Sequence, residues 1–274
     1  MDSTCEITVW EKIYKEVVEF TKTEPTLVSF LHETVLCHSN FEESLSFNLA
    51  NKLHSPTLRG IHLHELIMRC LTNDKCVGHH AQKDLEAIVD RDPAAGSYAI
   101  PFLYYKGFHA IQCYRVAHWL WLQDRKILAY HIQNRMSEVF AVDIHPAAKI
   151  ASGIFIDHAT SVVIGETAVI EDNVSILHEV TLGGTGKDTG DRHPKVRQGV
   201  LIGAGAKILG NIEIGRGAKI GAGSVVLKNV PEHITVAGVP ARIVGRTLVD
   251  CPALEMNHSL MNNNLPFETL EYFI

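Results

Sequence analysis

Two different periods of apolar residues run along this chain. In the first half they recur at steps of three and four. Trp10, Ile13, Val17 and Phe20 form one stripe, and Leu128, Ile132, Met136 and Val139 form another. That spacing marks one face of an α-helix. Similar segments lie between them, punctuated by Pro25, Pro56, Pro93 and Pro101. The first half is therefore predicted to be all-α, its stripes facing a shared core. In the second half the period is six. Val196, Ile202, Ile208, Ile214, Ile220 and Val226 form an unbroken comb. Ile164, Ile170, Ile176 and Leu182 form an earlier comb, and Ile144, Ile150 and Ile156 a third. Small or aliphatic residues stand four places further on, among them Ala168, Val174, Val180, Val200, Ala206, Ile212, Ala218 and Ser224. Between Ile156 and Ile164 the phase slips by two, and the pattern alone leaves open how the slip is absorbed. A period of six fits neither a helix nor a lone strand. It fits a parallel β-helix, in which three hexapeptide faces close a triangular coil of about 18 residues and coils stack about 4.8 Å apart.

Glycine usage divides the chain at the same place. Only Gly60, Gly78, Gly96 and Gly107 precede residue 141, and the other 16 of the 20 follow it. Glycine weakens helices but suits sharp turns. One stretch breaks the comb: residues 183–195, GGTGKDTGDRHPK, contain no apolar residue. Such a segment cannot be buried and is expected to leave the coil as a loop. Its Arg192 and His193 beside glycines make it a candidate site.

Composition narrows the classes further. With 46% hydrophobic and 20% charged residues, the 274-residue chain reads as globular. A formal charge of −6 argues against binding a nucleic-acid backbone. No apolar run reaches membrane-spanning length, and the opening MDSTCEITVW lacks a basic leader region. Cys5, Cys37, Cys70, Cys76, Cys113 and Cys251 include no C-x-x-C pair, so neither a disulfide framework nor a structural zinc is expected. A reducing, cytoplasmic setting is the expectation.

Several segments carry a resemblance. They are RDPA (91–94), FLYYKGFHAIQCYR (102–115), HWLW (118–121), DIHPAAKI (143–150), DHAT (157–160), VIGETAVIED (163–172), TLGGTGK (181–187), GDRHPK (190–195), IGAGAKILGNIEIGRGAKIGAGSVV (202–226) and AGVPARIVG (237–245). Together they resemble the serine O-acetyltransferases, within the hexapeptide-repeat acetyltransferase superfamily. The resemblance implies an α-helical domain over 1–140 that contacts substrate and oligomerises. It implies a left-handed parallel β-helix over 141–246 with loop 183–195 extruded, and a flexible tail over 247–274. The family assembles as homotrimers, often as hexamers (dimers of trimers), with active sites between adjacent β-helices. It uses acetyl-CoA as co-substrate with no permanently bound cofactor. The implied reaction acetylates the hydroxyl of L-serine, the first step from serine toward cysteine, with L-cysteine as feedback inhibitor.

The resemblance also assigns residues. His158 matches the general base, a role that suits an imidazole. Asp143 would hold its other ring nitrogen, as in a Ser-His-Asp triad. Asp92 and Asp157 would take the ammonium of serine, and Arg192 its carboxylate. His193 would support substrate from the neighbouring subunit. Gly183 and Gly184 could expose oxyanion-binding N–H groups. Ala204 and Ala222 match the pantetheine path, and Lys219 and Arg242 are candidate phosphate contacts, although Lys207, Arg216 and Arg246 are equally basic. The terminal Ile274 matches a tail that docks into O-acetylserine sulfhydrylase, although Tyr272-Phe273 departs from the usual ending. Three rival readings stand beside this one. They are an acetyltransferase for a sugar or homoserine, a metal-dependent hydrolyase using His145, His158, His178 or His193, and a non-catalytic docking scaffold.

Overall fold

The computed structural model describes residues 7–186, 189–247 and 249–260. Its first part is helical: α1 (Val9–Thr23), α2 (Val28–Leu31), α3 (Phe41–Leu53), α4 (Gly60–Asn73), α5 (Lys75–Arg91), α6 (Ala99–Tyr104), α7 (Lys106–Leu122) and α8 (Lys126–Phe140). Local chemistry starts several of them. Thr8 and Glu11 form a reciprocal capping box on α1, and Asn40 and Asp74 cap α3 and α5. The α1 stripe buries Val9, Ile13 and Val17. On α8 the buried line ends on Phe140, and the predicted Val139 is exposed. A period of 3.6 places both near the apolar stripe after Met136, and the larger ring takes the inward place. Helix α7 is buried on nearly every face and forms the centre of this half.

The chain then winds into a parallel β-helix of about five turns. One sheet holds β1 (Val142–Ile144), β4 (Val162–Ile164), β7 (Thr181–Gly183), β10 (Lys207–Leu209) and β13 (Val225–Val226). A second holds β2 (Lys149–Ile150), β5 (Val169–Ile170), β8 (Lys195–Val196) and β11 (Glu213–Ile214). The third holds β3 (Phe155–Ile156), β6 (Ser175–Ile176), β9 (Leu201–Ile202), β12 (Lys219–Ile220), β14 (Ile234–Gly238) and the antiparallel β15 (Ala241–Arg246). The combs coincide with the register: Ile156, Ile176, Ile202 and Ile220 stack on one another, and so do Ile164, Leu182, Ile208 and Val226. All of these are buried.

The slip in phase is taken up at one corner. Between buried Ile156 and buried Val162 lie five residues, Asp157–Ser161. The coil beneath turns the same corner with three, Leu177–Glu179. The longer turn puts His158, Ala159 and Ser161 at positive φ (54°, 59° and 60°), a conformation that disfavours side chains with a Cβ.

A buried ion pair fastens the two halves together. Asp84 of α5 and Arg115 of α7 meet at 2.6 Å, both essentially inaccessible to solvent. Arg115 donates to the carbonyls of Ile150 and Ala151, and the N–H of Ile154 donates to Asp84. Charged groups and first-coil backbone therefore satisfy one another, as burial requires. Nearby, a Cβ on Gly107 of α7 would stand 2.0 Å from the carbonyl oxygen of Ile156, so only glycine admits this close approach. Helix α9 (Pro252–Glu255) returns to α5: Ser175 accepts from Arg91 and donates to the carbonyl of Ala253. Among the described residues, no helix is long and apolar enough to cross a membrane.

His109 tests the helical core. It is wholly buried, donates from Nε2 to the carbonyl of Phe102, and is pushed by burial to a pKa of about 3. Below pH 6.5 the unfolded chain takes up a proton here that the folded chain refuses, so stability falls as pH falls. Between pH 6.5 and 5 this site alone is expected to cost about 2 kcal/mol. Urea unfolding of His109→Gln at both pH values is expected to show a correspondingly shallower pH dependence; an unchanged slope contradicts the assignment.

Candidate active site

The five-residue corner places His158 on the outside of the prism. Its side chain is 74% exposed, and Nε2 lies 3.6 Å from the Asp157 carboxylate. The ring of His178, one coil below, meets it edge-on with centroids 5.7 Å apart. The helical half closes on this corner. Tyr105, at the start of α7, donates its hydroxyl to Asp92 at the end of α5 (3.0 Å). Burial, that bond and the nearby charges of Asp92 and Asp157 push the Tyr105 phenol up to about 12. Lys106 donates to the hydroxyl of Thr160, within the same turn as His158. Asp92, Asp157 and His158 thus gather at one corner, with Tyr105, Lys106 and His178 around them.

Below this corner the prism edge is lined by small residues. The next two coils turn with Gly203-Ala204-Gly205 and Gly221-Ala222-Gly223. Their backbones form a ladder along the edge: Glu179 N–H donates to the Thr160 carbonyl, Gly205 to His178 and Gly223 to Ala204. A Cβ on Gly203 would press within 2.7 Å of the Ala222 nitrogen, so the stacking itself requires glycine there. Ala204 and Ala222 therefore continue the column that His158 and His178 begin. Arg242 pairs with Ala237 at the far end and is exposed. From the strand before His158 to the strand of Arg242 is five strand steps, roughly 24 Å. Lys219 faces the C-terminal segment: its ammonium donates to the carbonyls of Asn257 (3.0 Å) and Ser259 (2.6 Å). With Thr235, Arg246 and Leu260 it lines a cavity of about 230 Å³.

A second cluster sits at a different corner, where loop 183–195 leaves the coil. Arg192 is paired with Glu166 at 2.6 Å, and that bond holds Glu166 below the usual carboxylate range. His193 is buried, and its Nδ1 accepts from the hydroxyl and N–H of Thr167. The Thr167 hydroxyl oxygen in turn accepts the N–H groups of Arg192 and His193. Burial, then the neighbouring Arg192 cation, pushes the His193 imidazole down. Gly184 lies against this pair, 3.7 Å from His193 Nε2 at its Cβ position. Gly183 ends β7, and its carbonyl accepts from Gly210. Asp143 faces outward on β1, and its carboxylate accepts from Gln133 of α8 (2.6 Å). The carboxylate beside His158 in this chain is that of Asp157. Among the described residues, no hydrogen bond or ion pair joins the His158 cluster to the Arg192 cluster, and no three His, Cys, Asp or Glu side chains gather as a metal site. Ile274 lies outside the described residues.

The sequence marked His178 only as a candidate metal ligand and singled out none of Tyr105, Glu166 and Thr167. The register could have found His178, which follows Ile176 as His158 follows Ile156. The others are linked only through space.

Residues 9–113 match the family model for serine acetyltransferase, N-terminal, and residues 193–228 that for the bacterial transferase hexapeptide (six repeats). The chain is 56% identical over 260 residues to the serine acetyltransferase of Escherichia coli (strain K12), covering 95% of each. A solved serine acetyltransferase in complex with cysteine shares 55% identity and a TM-score of 0.91, over 92% of this chain and 98% of that one. The Brucella abortus strain S19 serine acetyltransferase in complex with coenzyme A shares 54% identity and a TM-score of 0.86, over 87% and 96%.

Gly165 offers a test of the second cluster. A Cβ there would stand 2.0 Å from Cδ2 and Nε2 of the His193 ring. Gly165→Ala is expected to evict the ring from Thr167 and raise its NMR titration midpoint toward that of an ordinary histidine. An unmoved midpoint contradicts the packing described.

Proposed function

The chain belongs to the serine acetyltransferase family, enzymes that transfer acetyl groups from acetyl-CoA, and from that premise we propose how this chain's own residues act. The acceptor is the side-chain hydroxyl of L-serine, and the products are O-acetyl-L-serine and CoA. One observation carries the reading: an exposed imidazole, flanked by a carboxylate, heads an open edge lined by small residues.

A serine hydroxyl is a poor nucleophile until its proton is removed as it attacks. His158 takes that proton while the oxygen bonds to the thioester carbon. The carbon–sulfur bond then breaks, and the imidazolium returns the proton to the CoA thiolate. Carboxylates stabilise the imidazolium and fix its tautomer. Asp157, 3.6 Å away, can do so, and Asp143 is assigned the same task from β1. Asp92 and Asp157 receive the serine ammonium, with Tyr105 holding the Asp92 carboxylate in place. The guanidinium of Arg192 suits the serine carboxylate, and His193 supports the substrate beside it. Gly183 and Gly184 are assigned to the oxyanion.

Two separate clusters in one chain favour a site shared by neighbours: His158 with Asp92 and Asp157 from one protomer, Arg192 and His193 from the next. A homotrimer, or a hexamer of two trimers, provides that arrangement. The pantetheine arm runs along the edge past Ala204 and Ala222 toward Arg242. Lys219 reaches the co-substrate when the Asn257 and Ser259 carbonyls give it up. The Brucella relative bound to coenzyme A supports this use of the fold. A family member bound to cysteine supports L-cysteine as an inhibitor at the serine site, since the two amino acids differ at one side-chain atom. The reading also includes a cytoplasmic setting, and a tail ending in Ile274 that docks a sulfhydrylase.

CoA release is expected with L-serine, far more than with D-serine, homoserine or simple sugars; no preference for L-serine contradicts the reading. His158→Ala is expected to lower turnover on the order of 100-fold or more with the assembly intact, and unchanged turnover removes it as the base. Deleting the last ten residues is expected to abolish co-elution with the sulfhydrylase and to spare acetyl transfer; a retained complex contradicts the tail assignment.

A further inference from the structure

The prism edge is occupied by alanine in two successive coils and by histidine in the coil beneath the catalytic turn. Ala204 and Ala222 turn their corners with small side chains, whereas His178 fills the equivalent place with an imidazole. Its backbone is fixed, because its carbonyl accepts the Gly205 N–H (2.9 Å). Its ring is not fixed by hydrogen bonding at Nδ1, which is buried with no partner among the described residues. What the ring does meet is His158, edge to face, 5.7 Å between centroids at 72°. Aromatic rings prefer this arrangement, and it resists rotation of either partner.

The His158 ring needs such a support. It is 74% exposed on a turn in which His158, Ala159 and Ser161 sit at positive φ, and the Asp157 carboxylate is 3.6 Å away, longer than a hydrogen bond. Misplacing a catalytic group by about 1 Å can cost on the order of 100-fold in rate.

We propose that His178 is a positioning residue: its ring forms the wall against which the His158 imidazole is set to receive the serine proton. This rests on His158 being the base. Other charged groups face the pair. Asp157 flanks His158, and Asp92 lies beyond it on α5. Lys106 approaches from α7 through Thr160, Lys207 donates to the Glu179 carbonyl, and His258 of the C-terminal segment feels the charge of Asp157. Glu179 adjoins His178 in the chain. None of these changes when the His178 ring alone is altered.

The experiment compares His178→Ala, His178→Phe and His178→Gln in the full-length assembled enzyme. Two readouts are followed: steady-state kinetics with L-serine and acetyl-CoA, and the pH titration of His158 by NMR. His178→Ala is expected to lower kcat about 10-fold, leave both KM values within about 2-fold, and shift the His158 midpoint. His178→Phe keeps an aromatic wall and is expected to recover most of kcat; His178→Gln keeps hydrogen-bonding capacity without the ring and is expected to resemble alanine. The inference is overturned by an unchanged kcat and midpoint in His178→Ala, by a change confined to KM for acetyl-CoA, or by rescue with glutamine but not phenylalanine. Failure of the underlying reading looks different: the unaltered enzyme, or its His158→Ala variant, behaves contrary to general-base catalysis before His178 is touched.

Discussion

The interior of the triangular β-helix takes apolar and small side chains at two places in each hexapeptide, and everything else in this protein adapts to that demand. Each face has a fixed length because the next coil must pair with it. Only the corners can gain residues without disturbing the core. The chain uses this freedom twice. Val163 pairs with Thr181, 18 residues on, but Val142 pairs with Val162 at 20 and Thr181 with Lys207 at 26. The two extra residues project His158, and the eight extra residues form the loop that carries Arg192 and His193. The residues proposed for the site lie where the repeat is broken, and the unbroken coils hold those breaks in place.

The helical half completes one of the corners. Its attachment runs through Asp84 and Arg115, a buried pair whose remaining hydrogen bonds go to the backbone of the first coil. Such a pair is weak as a source of net stability but strict about geometry, since either charge alone would be costly to bury. It fixes α5 and α7 against the coil that ends in Asp157-His158. The end of α5 supplies Asp92, and the start of α7 supplies Tyr105 and Lys106. Arg91, the residue before Asp92, is itself buried and bonded to Ser175 and Asn173 of the second coil. The carboxylate proposed to hold the serine ammonium is therefore anchored to both halves.

The β-helix was legible because its constraint is periodic: Ile164, Ile170 and Ile176 announce three faces without reference to distant residues. The slip after Ile156 was visible too, and its placement at a corner follows from the rigidity of the faces. The partners of the site residues were harder to see. Tyr105 meets Asp92 across 13 residues and Arg192 meets Glu166 across 26, with no spacing rule to connect them. Lys219 was legible as a cation, but its engagement by the carbonyls of Asn257 and Ser259 was not, because backbone acceptors leave no mark in a sequence. Asp143 likewise gave no sign that its carboxylate would be occupied by Gln133 of α8.

The central claim is that two clusters, distant within one chain, work together across a protomer boundary. Complementation tests it most directly. A His158→Ala chain and an Arg192→Ala chain, each inactive alone, are co-expressed and purified as mixed oligomers. With random mixing in a cyclic trimer, about a quarter of the sites combine an intact His158 with an intact Arg192. The account predicts that serine-dependent CoA release returns to about that fraction of the unaltered enzyme. Mixed oligomers no more active than either variant alone would contradict it.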